Sequence, residues 1–458
     1  MSTLFDAIIV GAGQATPPLA EKLAAAGWKV AVIERTLIGG TPINVGHTPF
    51  KSLLASAQVA HYNRRAEDFG VVPSIAVMVD MASVKRRMRS IVDAQQADIE
   101  ESLRAIEGCT VYEGHAEFIS RSEISVGNGI LQARHILLNV GARPSVGDFA
   151  LTGVTYLTSS TILALDQLPQ KLVIVGGGLI GLEFAQMYRR FGADVTIVEQ
   201  GSRLISREDH DASVELQRIL EAEGIEVCLN TKCIGLRSAK RDVEVMVSSE
   251  RGESVIVGSD VLLAIGRTPN TDDLAVANAG IHLTEGGYIP VDEQLRSVVP
   301  GIWALGECNG LGAINDTSFN DVEIVVANLL SDSGRSIGDR IPMHNLFTDP
   351  PLAQAGMTEE QVRRLGRPAL IGFSYMNRVE KAVQKSEAQG FIKILVDAET
   401  KQILGATILG ADADEAIHCA IAAMMLRAPA QVLERSMHSH PTIAELIPTI
   451  LGELKPLI

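Results

Sequence analysis

The 458-residue chain lacks the features that would send it to a membrane, a nucleic acid or an oxidised compartment. Its five cysteines, an odd number scattered along the chain, do not make a disulfide framework. No apolar run reaches the roughly 18 residues of a membrane span. With 40 basic against 55 acidic side chains and a net charge of -15, no basic surplus is left to neutralise phosphates. That balance excludes nucleic acids and anionic lipid surfaces as partners. The one basic run, Lys85-Arg86-Arg87-Met88-Arg89, falls in a helical pattern and reads as a solvated helix face. No basic leader or small-residue cleavage site precedes the first apolar strand, so a cytoplasmic location is expected.

The length predicts roughly three domains of about 150 residues each. The 46% hydrophobic content and 41 glycines suffice for several cores and many tight turns. Near the N-terminus, the apolar strand Ala7-Ile8-Ile9-Val10 runs into Gly11-Ala12-Gly13-Gln14-Ala15-Thr16. A helical pattern follows, then the strand Lys29-Val30-Ala31-Val32-Ile33 and the acid Glu34. Gly11 and Gly13 allow a tight turn and close approach of a pyrophosphate to a helix N-terminus, where backbone N–H groups favour negative charge. Glu34 is placed to accept hydrogen bonds from a ribose. Thr16 stands where a third glycine is usual, a departure expected to loosen helix–strand packing.

The same logic recurs at Leu172-Val173-Ile174-Val175, followed by Gly176-Gly177-Gly178-Leu179-Ile180-Gly181 and a second strand ending in Glu199. An acid there suits a free ribose 2′-OH and repels a 2′-phosphate, which favours NADH. Arg203 nearby keeps NADPH open as a second donor. Two complete fingerprints imply two dinucleotides held face to face.

Further landmarks appear in a fixed order: Gly39-Gly40-Thr41, Pro49-Phe50-Lys51, Gly114-His115-Ala116 and Asn139-Val140-Gly141-Ala142-Arg143-Pro144. Then come Ala264-Ile265-Gly266-Arg267-Thr268-Pro269-Asn270, Ala304-Leu305-Gly306-Glu307 and His440-Pro441-Thr442 with Glu445. With these motifs the whole chain resembles the pyridine-nucleotide disulfide oxidoreductases (class I flavoprotein disulfide reductases), most nearly the mercuric-reductase-like branch. The resemblance implies an α/β fold with two Rossmann-like dinucleotide-binding domains, for FAD and NAD, and an α+β dimerisation domain. The FAD domain would take 1–150 and 270–335, the NAD(P) domain 151–269 and the dimerisation domain 340–458, the last making a homodimer. The resemblance also implies that Glu307 holds the flavin's ribityl chain, that Gly40, Thr41, Ala116 and Gly141 lie along FAD, and that Gly266 lies along NAD. It makes Lys51 and Glu183 an ion pair beside the flavin, and His440, oriented by Glu445, an acid–base residue given to the partner's flavin. His438 has no counterpart and reads as structural.

One departure bears on function. Where the family carries a C-x4-C pair, this chain reads Gly40-Thr41-Pro42-Ile43-Asn44-Val45-Gly46-His47. Pro42 stands at the outer thiol's position and His47 at the inner one's. Neither can attack sulfur, which excludes the family's disulfide route and makes mercuric-ion reduction unsupported. Cys228 and Cys233 share the spacing but fall in the NAD half, in a strand and turn. Cys109, Cys308 and Cys419 read as small buried apolar residues, with Cys308 close to the flavin. His47 would sit at a helix N-terminus, biased toward the neutral ring, and either shuttles a proton or fills the space left by the cysteines.

The expected activity is therefore an FAD-dependent, NADH-driven oxidoreductase that passes electrons directly to a small acceptor: a quinone, an electrophilic organic or oxygen. Two alternatives stand beside it: hydride exchange between nicotinamides, as in soluble transhydrogenases, and a non-catalytic FAD-binding regulator. Metal is not expected.

Overall fold

The computed structural model describes residues 3–72, 77–312 and 315–457. Met1 and Ser2, on which the expectation of no leader rests, lie outside the described residues. The β-branched, apolar run after Met1-Ser2 builds the central strand of a seven-stranded sheet. Thr3–Val10 is flanked in parallel by Val30–Glu34 and Gly129–Leu138, with Cys109–Glu113 beyond Val30–Glu34. Glu123–Val126 and Ala116–Ser120 extend the other side antiparallel. Ile302–Ala304 joins from much later in the chain, parallel to Gly129–Leu138.

A second, all-parallel sheet of four strands runs Glu226–Cys228, Asp194–Val198, Lys171–Val175, Asp260–Leu263. It lies between the two lengths of chain that build the first. An antiparallel three-stranded sheet of Lys232–Ala239, Asp242–Ser249 and Gly252–Gly258 covers it. Where the chain crosses between the units, Ala142–Pro144 pairs with Arg267–Pro269.

The C-terminal part is a six-stranded antiparallel sheet backed by short helices. Its strand Phe391–Asp397 is buried at all seven positions, so both faces are covered and no solvated face alternates with the core. Even Lys393 is 1% exposed.

One correction concerns charges expected at the surface. The basic run lies in the helix Met81–Arg104, but Lys85 is buried with Met81 and Met88, which share its face at helical spacing. Its ammonium caps Leu165 O and pairs with Asp166 Oδ1 at 3.1 Å, while Arg87 donates to Ser52 O at 2.8 Å. Arg190, on the helix Leu179–Phe191, is buried and pairs with Glu223 and Asp349, joining the second sheet's unit to the C-terminal sheet. Breaking such a buried pair costs about 3–5 kcal/mol.

Candidate functional site

Both glycine turns form at the C-terminal ends of parallel strands, each opening a helix. Gly11 has φ +97°, and a Cβ there would lie 2.3 Å from Asn139 O, so only glycine lets the two strand ends close. Gly176 repeats this in the second unit, with φ +115° and Ala264 O 2.4 Å from a Cβ.

The two acids fold back onto their turns. Glu34 Oε2 accepts from Ala12 N–H at 2.8 Å and Oε1 from Thr36 N–H at 2.9 Å. Glu199 accepts from Gly177 N–H and from Gly201 N–H, both at 2.6 Å.

Thr16 does not loosen its turn. Its hydroxyl, fully buried, donates to Gly11 O at 2.7 Å and accepts from Asn139 Nδ2 at 2.9 Å, so it ties helix, turn and neighbouring strand together.

Gly40 rests on this first turn, a Cβ being 2.9 Å from Gly13 Cα, and Gly39 N–H donates to Ala12 O at 2.8 Å. The stretch carrying Thr41, Pro42 and His47 is thereby held along the cleft. Pro42 falls in the short helix Gly40–Asn44 and His47 begins the helix His47–Arg64. The His47 ring stands edge-on to Phe347, centroids 6.2 Å apart.

Lys51, one turn on, is shielded from solvent and its ammonium lies on the face of Phe347. It has no hydrogen-bond partner among the described residues. The direct Lys51–Glu183 ion pair is therefore a correction. Phe347 occupies the ammonium, and Glu183 Oε1 instead accepts from Phe347 N–H at 2.8 Å. The two charges still sense each other. Burial pushes Lys51 down to about 7, opposed by Glu183 and Asp414. Burial likewise pushes Glu183 up to about 7, opposed by Lys51 and the Phe347 N–H.

Glu307 is paired with Arg267, whose Nη2 donates to Oε2 at 2.9 Å and whose Nε is 2.7 Å from Oε1. Burial raises the Glu307 carboxyl while Arg267 draws it down. Its loop is pinned by Asp321, which accepts from Gly306 N–H at 2.8 Å. Phe347, Arg267 and Asp321 were missed in the sequence. Arg267 sat inside a motif with no charge partner in view, and the other two lie in stretches without a motif.

One cleft of about 2640 Å³ collects Gly11, Gly13, Glu34, Gly40, Thr41, Pro42, His47, Lys51, Gly141 and Glu307 with Gly176, Gly178, Glu183, Glu199 and Gly266. That exceeds the roughly 300–1,000 Å³ of a pocket for one small ligand. Gly141, Gly178 and Gly266 face open space within it. Gly181 does not line the cleft; a Cβ there would sit 2.1 Å from Gly176 O, so it serves helix–strand packing. Ala116 lines a small adjoining cavity with Glu34 and Gly11. The glycine cradles, the acids on their turns and the Lys51 ammonium without a hydrogen-bond partner fit FAD at the first turn and a nicotinamide dinucleotide at the second.

His440 does not join this cleft within the single chain. Its Nδ1 is 2.8 Å from Glu445 Oε2, its Nε2 is 3.7 Å from Glu380, and its side chain is 63% exposed. His438 is half-buried, its Nδ1 3.1 Å from Ser436 O.

All five cysteines are free. Cys308 is enclosed beneath the Glu307 loop, its Sγ 3.2 Å from Leu305 O and 3.4 Å from Leu138 O. Cys228 ends one strand and Cys233 lies in the next, Cys233 at the rim of the cleft beyond Glu199.

Two dinucleotide turns sharing one cleft define an oxidoreductase that works with two nucleotide cofactors. The chain belongs to the pyridine nucleotide-disulphide oxidoreductase family: residues 5–328 match the family itself and residues 344–450 its dimerisation domain. It is 32% identical to the probable pyridine nucleotide-disulfide oxidoreductase RclA of Escherichia coli (strain K12), over 98% of this chain and 99% of that protein. It is 33% identical to the mitochondrial dihydrolipoyl dehydrogenase of Pisum sativum, over 96% of this chain and 90% of that protein. Among solved structures it is similar to the HOCl-induced flavoprotein disulfide reductase RclA from Escherichia coli, with TM-score 0.88 and 32% identity. That superposition covers 98% of this chain and 100% of the other. The family binds FAD and uses NAD(P)H. Its dimerisation domain supports a homodimer. Among the described residues no helix is long and apolar enough to cross a membrane.

Proposed function

We propose that this protein oxidises NADH and delivers both electrons to a small acceptor without a sulfur relay. The carrying observation is that the stretch 40–51, held against the first glycine turn, presents Pro42 and His47 and contains no cysteine. Bound FAD supplies the two-electron relay between donor and acceptor. For a quinone, NADH, one proton and quinone become NAD+ and quinol, so the chain must deliver protons as well as position the partners.

In this reading Glu34 and Glu199 receive the riboses of FAD and NADH while keeping their turns closed, and Glu307 with Arg267 lies along the FAD side chain. Lys51 and Glu183 flank the reacting ring, where burial keeps both near the point of exchanging a proton. The ring of His47, set against Phe347, faces the acceptor side as a proton donor or a shaped wall. His440 comes from the partner chain; Glu445 holds its Nδ1 and leaves Nε2 to hand a proton to the reduced acceptor. Residues 1–150 with 270–335 hold FAD, 151–269 hold NAD(P)H and 340–458 make the dimer. Arg203 also lines the cleft, which supports assaying NADPH and nicotinamide exchange beside NADH.

The test is anaerobic mixing of the purified protein with NADH, followed by addition of quinones, electrophilic organics, oxygen, lipoamide and glutathione disulfide. Rapid bleaching of the flavin band, with reoxidation by non-disulfide acceptors, is expected. A flavin that stays oxidised, or efficient turnover of a disulfide, overturns the reading.

A further inference from the structure

Between Glu199 and the first turn of the next helix, His210–Ala222, the chain passes through residues 205–211. Ile205 is buried at φ +39°, in the left-handed region where a β-branched residue is a rare outlier that its surroundings must enforce. The enforcement is visible at both ends of this stretch.

On one side, Ile205 N–H donates to Gly177 O at 2.9 Å, while Glu199 takes the N–H of the same glycine. Both backbone groups of the turn's central residue are thus held by this stretch and the acid before it. On the other side, every anchor belongs to the dimerisation unit. Glu208, 4% exposed, meets His344 Nε2 through Oε1 at 2.6 Å. Asp209 accepts from Lys393 Nζ at 2.8 Å and from the N–H groups of Glu359 and Glu360 at 3.0 and 3.3 Å. Asp211 binds Lys393 Nζ through both oxygens at 2.8 Å.

The sheet explains why one row of side chains makes these anchors. His344 is paired across the strands with Gln354, Gln354 with Thr407 and Thr407 with Lys393, so the four share one face. A polar row crosses an otherwise apolar sheet where it meets the dinucleotide unit. Lys393 lies outside the cleft, whereas His344 and residues 205–208 line it.

We infer that residues 205–211 form a strap through which the dimerisation sheet sets the second glycine turn, making Lys393 a positioning residue for the nicotinamide dinucleotide. The inference rests on NAD(P)H occupying that turn.

The test compares steady-state kinetics of the FAD-loaded dimers of Lys393→Met and Lys393→Arg, with Glu199→Ala as a control on the turn itself. Lys393→Met is expected to raise the KM for NADH at least fivefold, with kcat at saturating NADH within twofold of the parent and one FAD per chain. Lys393→Arg, which keeps the charge, is expected to return KM to within twofold. If Lys393→Met does not fold, Asp211→Asn, which removes one anchor and leaves Asp209, takes its place. An unchanged KM in the strap variants, while Glu199→Ala raises it, overturns the strap alone. An unchanged KM in Glu199→Ala as well overturns the assignment of the turn and the strap together. A joint fall in FAD content, kcat and thermal stability with KM unmoved marks a merely structural seam and also overturns the inference.

Discussion

Alkylating every accessible thiol should leave turnover intact. Thiol reagents attack the thiolate, so the fraction ionised sets the rate. An ordinary cysteine near 8.5 is about 3% thiolate at pH 7. Burial raises Cys109 to about 11 and Cys308 to about 12. Their thiolate fractions at pH 7 are then on the order of 0.01% and 0.001%, roughly 300-fold and 3,000-fold below an ordinary thiol. Burial also raises Cys228 and Cys233.

A disulfide reductase, once reduced, exposes a reactive pair that N-ethylmaleimide silences. Here pre-reduction with NADH followed by N-ethylmaleimide should change NADH–quinone turnover less than twofold at saturating NADH. Anaerobic titration gives an independent count, because a flavin accepts two electrons and a neighbouring disulfide would accept two more. One NADH per FAD is expected to complete the bleaching. Loss of turnover after alkylation, or uptake of two equivalents, would refute the reasoning that no redox-active cysteine pair relays the electrons.

Two further predictions concern the cleft and the dimer. Lys51 is held below its unfolded value, so its ammonium destabilises the fold below about pH 7, and that cost fades as pH rises from 7 to 10.5. Glu183 is held above its unfolded value, so its cost is absent below pH 4.5 and grows up to about pH 7. The double variant Lys51→Met, Glu183→Gln should therefore stabilise the protein, with FAD removed, by on the order of 1–4 kcal/mol. The gain should be largest near pH 7 in denaturant titrations, while flavin reduction slows. His440→Ala should slow reoxidation of the flavin by acceptor about 10²–10⁴-fold and leave its reduction by NADH unchanged, as read by stopped-flow absorbance.

How far the residues announced this arrangement depends on whether their partners were local. Gly11, Gly176, Glu34 and Glu199 were legible because turn, strand and acid lie within one βαβ unit, so spacing alone carries the geometry. Pro42 and His47 drew notice because the resemblance sets them where the family carries its C-x4-C pair. Phe347 was not, because it reaches Lys51 across nearly 300 residues and nothing near it in sequence marks it as special. It also redirected the Lys51–Glu183 contact that the resemblance implied, since an aromatic face can hold an ammonium otherwise left to a carboxylate. Lys85 failed as a surface residue for a similar reason: its acceptors, Leu165 O and Asp166, come from a loop about 80 residues away. Thr16 was misread because a missing glycine signals lost contact, whereas the hydroxyl supplied two hydrogen bonds in its place.

The strand Ile302–Ala304 has a consequence for the order in which the protein can be made. It completes the sheet begun at Thr3–Val10 by lying beside Gly129–Leu138, yet the ribosome reaches it roughly ten to thirty seconds after that neighbour at about 5–20 residues per second. The whole intervening four-stranded sheet, Lys171–Val175 through Asp260–Leu263, has been synthesised by then. The nascent chain thus finishes the four-stranded sheet while the seven-stranded one still waits for its last parallel strand, so the glycine turn at Gly11 is fully flanked only after translation has passed Ala304.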